Sequence, residues 1–473
     1  MRVYMEERIM QGRTAIKKPD ALSIIIVGCG KVGHTICEQL VREGHDVTIV
    51  DTSERVIQDT TELFDVMGIR GNGASLSVLE EAGVGKADLV IAVTGSDELN
   101  LLCCTVAKKV GSDLAAIARV RNPDYSDELV YLRQQLGLSM IINPELEAAK
   151  EIARILSRPQ ALSVSAFAKG HAELVRFKIP EGNVLAGKKI MELDSLFDFG
   201  YLVCAVEREG KVSIPGGPFE LHAGDEITIL ASTRDGHRVF NAVGMHGRAI
   251  SSCMIIGGGK SSYYLAKQLL RQKMDVRIIE KDRKRCEELS ALLPQAVVVC
   301  GDGSDEALLR EEGIDSMEAL VALTGLDEEN ILLTLYAKRM PGLKTITKIN
   351  RITFGDVIEQ LELGSVVYPK YITSETIIAY VRARQNTIGN NVETLYHLFN
   401  DRVEALEFHV KKDASVIGVP LMELKKKNNL LIACISRMGK VIFPRGQDTI
   451  QADDTVIIVT THTGFSDISD ILA

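Results

Sequence analysis

At 473 residues the chain is too long for one hydrophobic core, which stops growing at roughly 250 to 300 residues, so several domains are expected. A hydrophobic content of 46% with 25% charged residues excludes a disordered chain, and a net charge of −9 excludes nucleic acid as the main partner, because phosphate binding needs a concentrated basic surface. No apolar run reaches the ~18 to 20 residues that span a bilayer, and the opening MRVYMEERIMQGRTAIKKPD has no signal-peptide core, so a cytosolic location is expected.

Residues 1–20 lie outside the pattern that follows and are expected to form an N-terminal extension. From residue 24, IIIVGCGKVGHTICEQLVREGHDVTIVD reads as a buried strand, a glycine turn, an amphipathic helix, a second strand and an acid. Gly28 makes the tight turn out of the strand, Gly30 lets backbone approach a diphosphate, and Gly33 lets the helix sit close on the sheet. The helix amino terminus supplies N–H donors for the anion. Asp51 ends the second strand close to the roughly 20-residue spacing at which a carboxylate accepts ribose hydroxyls, which favours NAD over NADP. His34, on the fingerprint helix, is expected to face the sheet or solvent.

Further along, GNGASLSVLEEAGVGKADLVIAVTGSDELNLL from Gly71 and IARVRN from Ile117 continue the alternation, the latter as the fifth strand of an open parallel sheet. A helix-rich stretch follows, then VRFKIPEGNVLAGKKIMEL and YLVCAVEREGKVSIPGGPFELHAGDEITILA, whose short alternating runs and GGP and AGDE turns fit a small α+β module. The whole arrangement then recurs. CMIIGGGKSSYYLAKQLLRQKMDVRIIE, residues 253–280, repeats the fingerprint with Gly257 and Gly259 in the first two glycine roles, Ser262 in place of the third and Glu280 as the acid. GDGSDEALLREEGIDSMEALVALTGLDEENILL and ITKINR follow, and LEFHVKKDASVIGVPLMEL with LLIACISRMGKVIFPRGQDTIQADDTVIIVT repeats the β-rich module.

The expected fold class is therefore α/β: two Rossmann-like doubly wound parallel sheets, each followed by a small α+β domain. Boundaries fall at 21–143 for the first nucleotide-binding domain, 144–165 for a linker or crossover helix, and 166–248 for the first β-rich domain. The second set falls at 249–371, 372–400 and 401–473. Asp97 and Asp327, in matching TGSDE and TGLDE turns, are expected to cap helices, with cofactor or cation contact as the alternative. The nine cysteines form no CxxC pairs, and several, including Cys253 and Cys300, fall in apolar strand-like runs, so buried reduced thiols are expected. Cys103 and Cys104 are adjacent and suit neither a disulfide nor zinc, the histidines do not cluster at ligand spacing, and no metal is expected. The lysine-rich segment KKDASVIGVPLMELKKKNN reads as a solvated face, with contact to an acidic partner or membrane surface as the alternative.

GCGKVG, IVD, GNGAS, AVTGSDELN and IARV, recurring once in the same order with a β-rich domain after each set, resemble the TrkA family, the peripheral subunits of bacterial Trk-type potassium uptake systems, over about residues 22–473. The resemblance implies tandem RCK (KTN) and TrkA-C domains, and a cytosolic ring, commonly a homotetramer, docked beneath a membrane potassium channel or transporter whose gate answers to nucleotide. It implies that Gly28, Cys29, Gly30, Lys31 and Val32 wrap the phosphates with Gly33 behind them, that Asp51 holds the adenosine ribose, that Thr94 and Gly95 border the nucleotide, and that Arg119 reaches its phosphates. A guanidinium at a strand's carboxyl end beside the turn suits bidentate phosphate pairing; the other reading of Arg119 is an ion pair with an acid of AVTGSDE. The second set is Gly257, Gly258, Gly259, Lys260, Ser261, Glu280, Thr324, Gly325 and Lys348. Ser262 in place of glycine and Lys348 in place of arginine make the second site weaker or give it a different nucleotide preference.

A hydride-transfer enzyme needs an acid/base constellation attached to a substrate domain, and the sequence displays none. A non-catalytic nucleotide sensor is the expected function, with NAD(H) as ligand and ATP or ADP as alternatives. An NAD-dependent oxidoreductase and a regulator of another cation exchanger or efflux channel are the rival readings.

Overall fold

The computed structural model describes residues 21–473 apart from 112, 126–127, 248, 351–354, 386–391 and 400–401, so the expected extension at 1–20 lies outside the described residues. The chain divides into two compact units, Met1–Pro144 and Glu145–Ala473.

In the first unit the order is β1 (Ser23–Val27), α1 (Lys31–Arg42), β2 (Asp46–Asp51), α2 (Glu54–Leu63), β3 (Met67–Arg70), α3 (Leu76–Glu81), β4 (Leu89–Ala92), α4 (Asp97–Val110), β5 (Ala115–Arg119), α5 (Leu129–Gln135) and β6 (Met140–Ile142). The strands form one six-stranded sheet in the order β3-β2-β1-β4-β5-β6. All its pairings are parallel, with Ile26 opposite Ile49 on one side and Ile91 on the other. Central strands of such a sheet are covered on both faces, which is why β1 reads SIIIV rather than alternating. The order reverses direction between β1 and β4, and there the crevice outside the strand carboxyl ends opens. Helix ends are chemically marked. The Ser96 hydroxyl accepts from the Leu99 amide at 3.2 Å, and α4 carries Asp97 and Glu98 in its first turn and Lys108 and Lys109 in its last, matching the helix dipole.

The second unit begins within α6 (Pro144–Leu156) and continues through β7 (Ser163–Phe167), β8 (Ala172–Lys178), β9 (Tyr201–Arg208), β10 (Lys211–Ser213), β11 (Glu226–Ser232) and α7 (Gly236–Ala242). The second parallel sheet follows: β12 (Ser252–Ile256), α8 (Lys260–Arg271), β13 (Asp275–Glu280), α9 (Arg283–Leu292), β14 (Val297–Cys300), α10 (Glu306–Glu311), β15 (Ala319–Ala322), α11 (Asp327–Ala337), β16 (Lys344–Lys348), α12 (Gly355–Gln360) and β17 (Ser365–Val367). Its order, β14-β13-β12-β15-β16-β17, copies the first sheet. Then come α13 (Pro369–Gln385), β18 (Val392–Leu398), β19 (Val403–His409), β20 (Leu430–Arg437), β21 (Lys440–Ile442) and β22 (Thr455–Thr460).

Two antiparallel five-stranded sheets, β10-β9-β11-β8-β7 and β21-β20-β22-β19-β18, make the β-rich domains. They begin earlier than the sequence suggested, since β7 starts inside the segment 144–165 and β18 lies inside the segment 372–400, both read as linkers. Alternation along β11 shows how they pack. Ile227, Ile229 and Ala231 face a core shared with Val239 and Phe240 of α7, whereas Leu230 faces a second core built jointly with Ala405, Cys434, Ile457 and Val459 of the other sheet. Each domain repeats one ion pair on a buried aspartate. Arg208 meets Asp225 through two contacts of 2.7 Å, and Arg437 meets Asp454 through two of 2.8 Å, each arginine also donating to a loop carbonyl, of Glu220 and Thr449 respectively. These bidentate pairs fix the turns that the AGDE and ADDT segments announce.

Ala149, Ile152 and Leu156 of α6 share a core with Ile255, Leu265, Ile278 and Val321, so this helix covers the second parallel sheet. Lys344 at the start of β16 donates to the Ala161 carbonyl at 2.6 Å, tying the segment after α6 to the same sheet. Glu151 of α6 is partly withdrawn from water near Arg154, Glu375 of α13 and Arg176. Burial pushes its carboxyl up to about 7 and Glu375 pushes the same way, while Arg154 and Arg176 act in the opposite direction. A carboxyl whose folded pKa lies above its ordinary 4.5 costs stability as pH rises from about 4.5 to about 7. Glu151→Gln is therefore expected to raise the melting temperature above pH 7 and to change it little below pH 4.5, in thermal unfolding recorded across that range; a shift independent of pH would contradict the assignment.

Candidate nucleotide sites

At the first site β1 delivers Gly28 at φ 91, and a Cβ there would lie 2.9 Å from the Thr94 backbone. Only glycine turns the chain in this way so close to the β4–α4 loop. A Cβ on Gly33 would lie 2.0 Å from the Gly28 carbonyl, so α1 can sit on the turn only because Gly33 has none. Gly30 is exposed with open space around it, as a surface that receives a diphosphate requires. Lys31 and Val32 open α1, with Lys31 exposed. Asp51, at the end of β2, accepts from the Cys29 amide at 2.8 Å through one oxygen and from the Ser53 amide at 2.9 Å through the other. The carboxylate is thereby locked beside the turn, and its further acceptor capacity suits ribose hydroxyls.

The Cys29 thiol lies 3.5 Å from the Thr60 hydroxyl. Burial raises its pKa, the Thr60 contact opposes that and Asp51 adds to it, so it is a neutral lining group. His34 packs on Phe64 at 5.1 Å between ring centroids and lines a cleft of about 590 Å³ with Cys29, Val56 and Thr60. Half-buried, it faces α2 across this open cleft rather than the sheet.

The second site repeats the clamp. Glu280, ending β13, accepts from the Gly258 amide at 2.6 Å and from the Asp282 amide at 2.8 Å. Gly257 has φ 97 and Gly259 faces open space, while Lys260 and Ser261 open α8. A Cβ on Gly258 would lie 2.7 Å from the Leu289 side chain and 2.9 Å from that of Glu280, so a side chain at this position, cysteine in the first copy, would require both to shift. Ser262 is fully buried, and its hydroxyl has no partner among the described residues. It occupies the place where Gly33 allows the closest helix approach.

Both parallel sheets also carry pins that the sequence reading missed. The fully buried Asn100 accepts from the Thr94 amide and hydroxyl, both at 2.7 Å, and donates to the Arg119 carbonyl at 2.8 Å; Asn330 does the same with Thr324 and the Lys348 carbonyl. They join the TG turns to the ends of β5 and β16. The asparagines recur in AVTGSDELN and ALTGLDEEN, which was the available signal. Gly95 and Gly325 have no neighbour a Cβ would meet. Arg119 donates to the Thr94 carbonyl at 2.5 Å and Lys348 to the Leu323 carbonyl at 3.0 Å, so both cations sit at the crevice. Arg121 pairs with the acid of the turn, 3.3 Å from Asp97.

Asp97 and Asp327 do not cap helices. Ser96 caps α4, and Asp97 instead accepts from the Arg121 and Asn122 amides at 2.8 and 2.7 Å, while Asp327 accepts from the Asn350 amide at 2.9 Å. They hold the loop after the fifth strand. Arg285 is a further difference between the copies. It stands where the first copy has Val56 and donates to the Gly258 carbonyl at 2.7 Å.

An unpaired buried hydroxyl costs on the order of 1–3 kcal/mol. Ser262→Ala keeps the Cβ and removes the hydroxyl, so it is expected to stabilise the protein by about that amount in urea unfolding, whereas Gly33→Ala, forced against the Gly28 carbonyl, is expected to destabilise it. Opposite signs would show that helix approach is governed by something other than these contacts.

The TrkA-N domain model matches residues 24–144 and 253–369, and the TrkA-C domain model matches 174–244 and 405–473. The chain is 34% identical over 457 residues to Trk system potassium uptake protein TrkA homolog 1 of Methanosarcina mazei, covering 94% of this chain and 99% of that one. It is 30% identical over 455 residues to the Trk system potassium uptake protein TrkA of Vibrio alginolyticus, covering 96% and 98%. Among solved structures, the GsuK RCK domain superposes with a TM-score of 0.63 at 18% identity over 96% of each chain. The GsuK channel bound to NAD superposes at 0.62 and 18% identity, over 97% of this chain and 80% of that one. These two share the fold. With both domain models matched twice in order and relatives aligned over nearly its whole length, the chain belongs to the TrkA family.

Proposed function

We propose that this chain is a non-catalytic, nucleotide-sensing regulatory subunit of a Trk-type potassium uptake system, working on the cytoplasmic side as a homotetrameric ring against a membrane potassium channel or transporter. The observation that carries the reading is the clamp found twice. In each parallel sheet a carboxylate at the end of the second strand grips the amide of the glycine turn and stands beside an open glycine surface. The names of the relatives supply the transport system. No helix among the described residues is long and apolar enough to cross a membrane, which accords with gating through a separate membrane partner.

The residues fit a dinucleotide or an adenine nucleotide. A bound nucleotide supplies ribose hydroxyls and diphosphate charge, and the proposal asks no chemistry of it. Asp51 and Glu280 orient the ribose. The turns 28–33 and 257–262 present helix amino termini to the diphosphate, and Arg119 and Lys348 contribute positive charge from the far side of the crevice. Thr94, Gly95, Thr324 and Gly325 form its wall. Each carboxylate, being tied to its turn amide, senses whether the turn is engaged. In the second unit the same sheet carries α6, so a change of turn geometry has packed side chains to act through. A coupling of roughly 1 to 3 kcal/mol between nucleotide and partner alters affinity about 5- to 150-fold.

Calorimetric titration of NADH, NAD, ATP and ADP into wild type, Asp51→Asn and Glu280→Gln tests the reading. Micromolar binding is expected, with one class of site lost in each variant while circular dichroism stays unchanged. Absence of binding by all four ligands would reject the sensor reading, and substrate-dependent turnover of NADH would replace it with an oxidoreductase.

A further inference from the structure

The second site has a feature without a counterpart in the first. Cys300, which the sequence reading placed among buried strand residues, is exposed at the end of the edge strand β14, and it is the exposed cysteine among the described residues. It lies opposite Glu280 in the parallel register of β13 and β14. The Glu280 carbonyl accepts from the Gly301 amide at 2.9 Å, directly after Cys300, and also from the Cys286 thiol at 3.1 Å. The residue whose carboxylate clamps the turn is thus held on its backbone side by both cysteine-bearing elements. Cys286 is buried in the first turn of α9, one residue beyond Arg285, which holds the Gly258 carbonyl. Burial raises the Cys286 thiol, and the neighbouring Cys300 thiol adds to the shift, so Cys286 rests protonated beside a second sulphur. By the offset of the repeat, the first copy has Ile57 and Arg70 at these places, Arg70 being opposite Asp51 in β3.

We propose that Cys286 and Cys300 are a redox-responsive dithiol that closes to a disulfide and weakens nucleotide binding at the second site. The coupling rests on the nucleotide reading of that site; the dithiol itself does not. With a peroxide as oxidant, the Cys300 sulphur attacks one oxygen, the O–O bond breaks, and a sulfenic acid and one water form. The Cys286 sulphur then attacks the Cys300 sulphur and expels the hydroxyl as a second water, its own proton leaving with it. Two thiols and one peroxide give one disulfide and two waters. Closing the bond removes the thiol donor from the Glu280 carbonyl and draws the first turn of α9 toward β14. That turn carries Arg285, and its entry is fixed by the Glu280 carboxylate through the Asp282 amide, so the clamp on Gly258 is disturbed.

The full-length protein, reduced and then treated with hydrogen peroxide, is digested without reductant for mass analysis and, in parallel, titrated with NADH and ATP. A peptide linking Cys286 to Cys300 is expected, with affinity at the site lost in Glu280→Gln falling at least about fivefold, the lower bound of ordinary coupling, and recovering after thiol reductant. Cys300→Ser, an exposed and conservative change, is expected to bind as reduced wild type does and to ignore peroxide. Absence of the linked peptide overturns the dithiol, and a linked peptide with unchanged affinity overturns its coupling. Reduced wild type that binds neither ligand at the second site overturns the nucleotide reading and the coupling with it, which separates that failure from the others.

Discussion

Each glycine turn is held by a carboxylate standing at the end of the neighbouring strand, and the rest of either nucleotide site is arranged around that contact. A carboxylate accepting two backbone amides is a charge-assisted contact, stronger than a neutral hydrogen bond, and here it spans β1 and β2, or β12 and β13, at their carboxyl ends. It sets where the turn lies relative to the ribose position. The approach of α1 follows from it, because Gly28 then projects its carbonyl at Gly33. On the opposite side of the crevice Asn100 and Asn330 perform the corresponding task for the TG turns, joining β4 to β5 and β15 to β16 through buried amide groups. Both walls are held for the same reason: polar side chains with fixed backbone partners leave few alternative arrangements.

In the second unit this rigidity is connected outward by packing. The parallel sheet is covered on one face by α8, α9 and α6, so three helices share one core with its strands. The antiparallel sheets meet through a core to which both contribute, with Glu407 accepting the Ala168 amide at 3.0 Å and Arg402 pairing with Glu207 at 2.8 Å across it. Close-packed cores and paired charges transmit displacement rather than absorb it, so a regulatory module of this design is better suited to switching between discrete arrangements than to continuous deformation.

Much of this was legible in the chain. Continuous β-branched runs, glycine spacing and a terminal acid announced both parallel sheets, because a strand covered on two faces and a turn without room for a Cβ restrict residue type locally. The repeat extended the inference to the β-rich modules, although β7 and β18 hid in stretches that looked helical. What escaped was pairing between residues far apart in sequence. Asp97 looked like a cap because aspartate before a helix usually is one, yet Ser96 takes that role and Asp97 reaches a loop 24 residues on. Cys300 looked buried because it ends an apolar run, but β14 is an edge strand with both its ends exposed, and edge position depends on strand order, which periodicity does not encode.

The two sites agree where they would meet the ribose and differ where they would meet phosphate. Asp51 and Glu280 make the same pair of amide contacts despite their different lengths. Around the turns, by contrast, Cys29 becomes Gly258, Gly33 becomes Ser262, Val56 becomes Arg285 and Arg119 becomes Lys348. Three of these changes alter the space or hydrogen bonding at the turn backbone, and one exchanges a planar fork for a compact charge. A ribose is common to every adenine nucleotide, and the clamp that the proposed reading assigns to it is the same in both copies. The number and position of phosphates distinguish members of the class, and the substitutions gather at that end. The substitutions thus leave the carboxylate clamp the same in both copies and fall on the side that, in the proposed reading, meets phosphate.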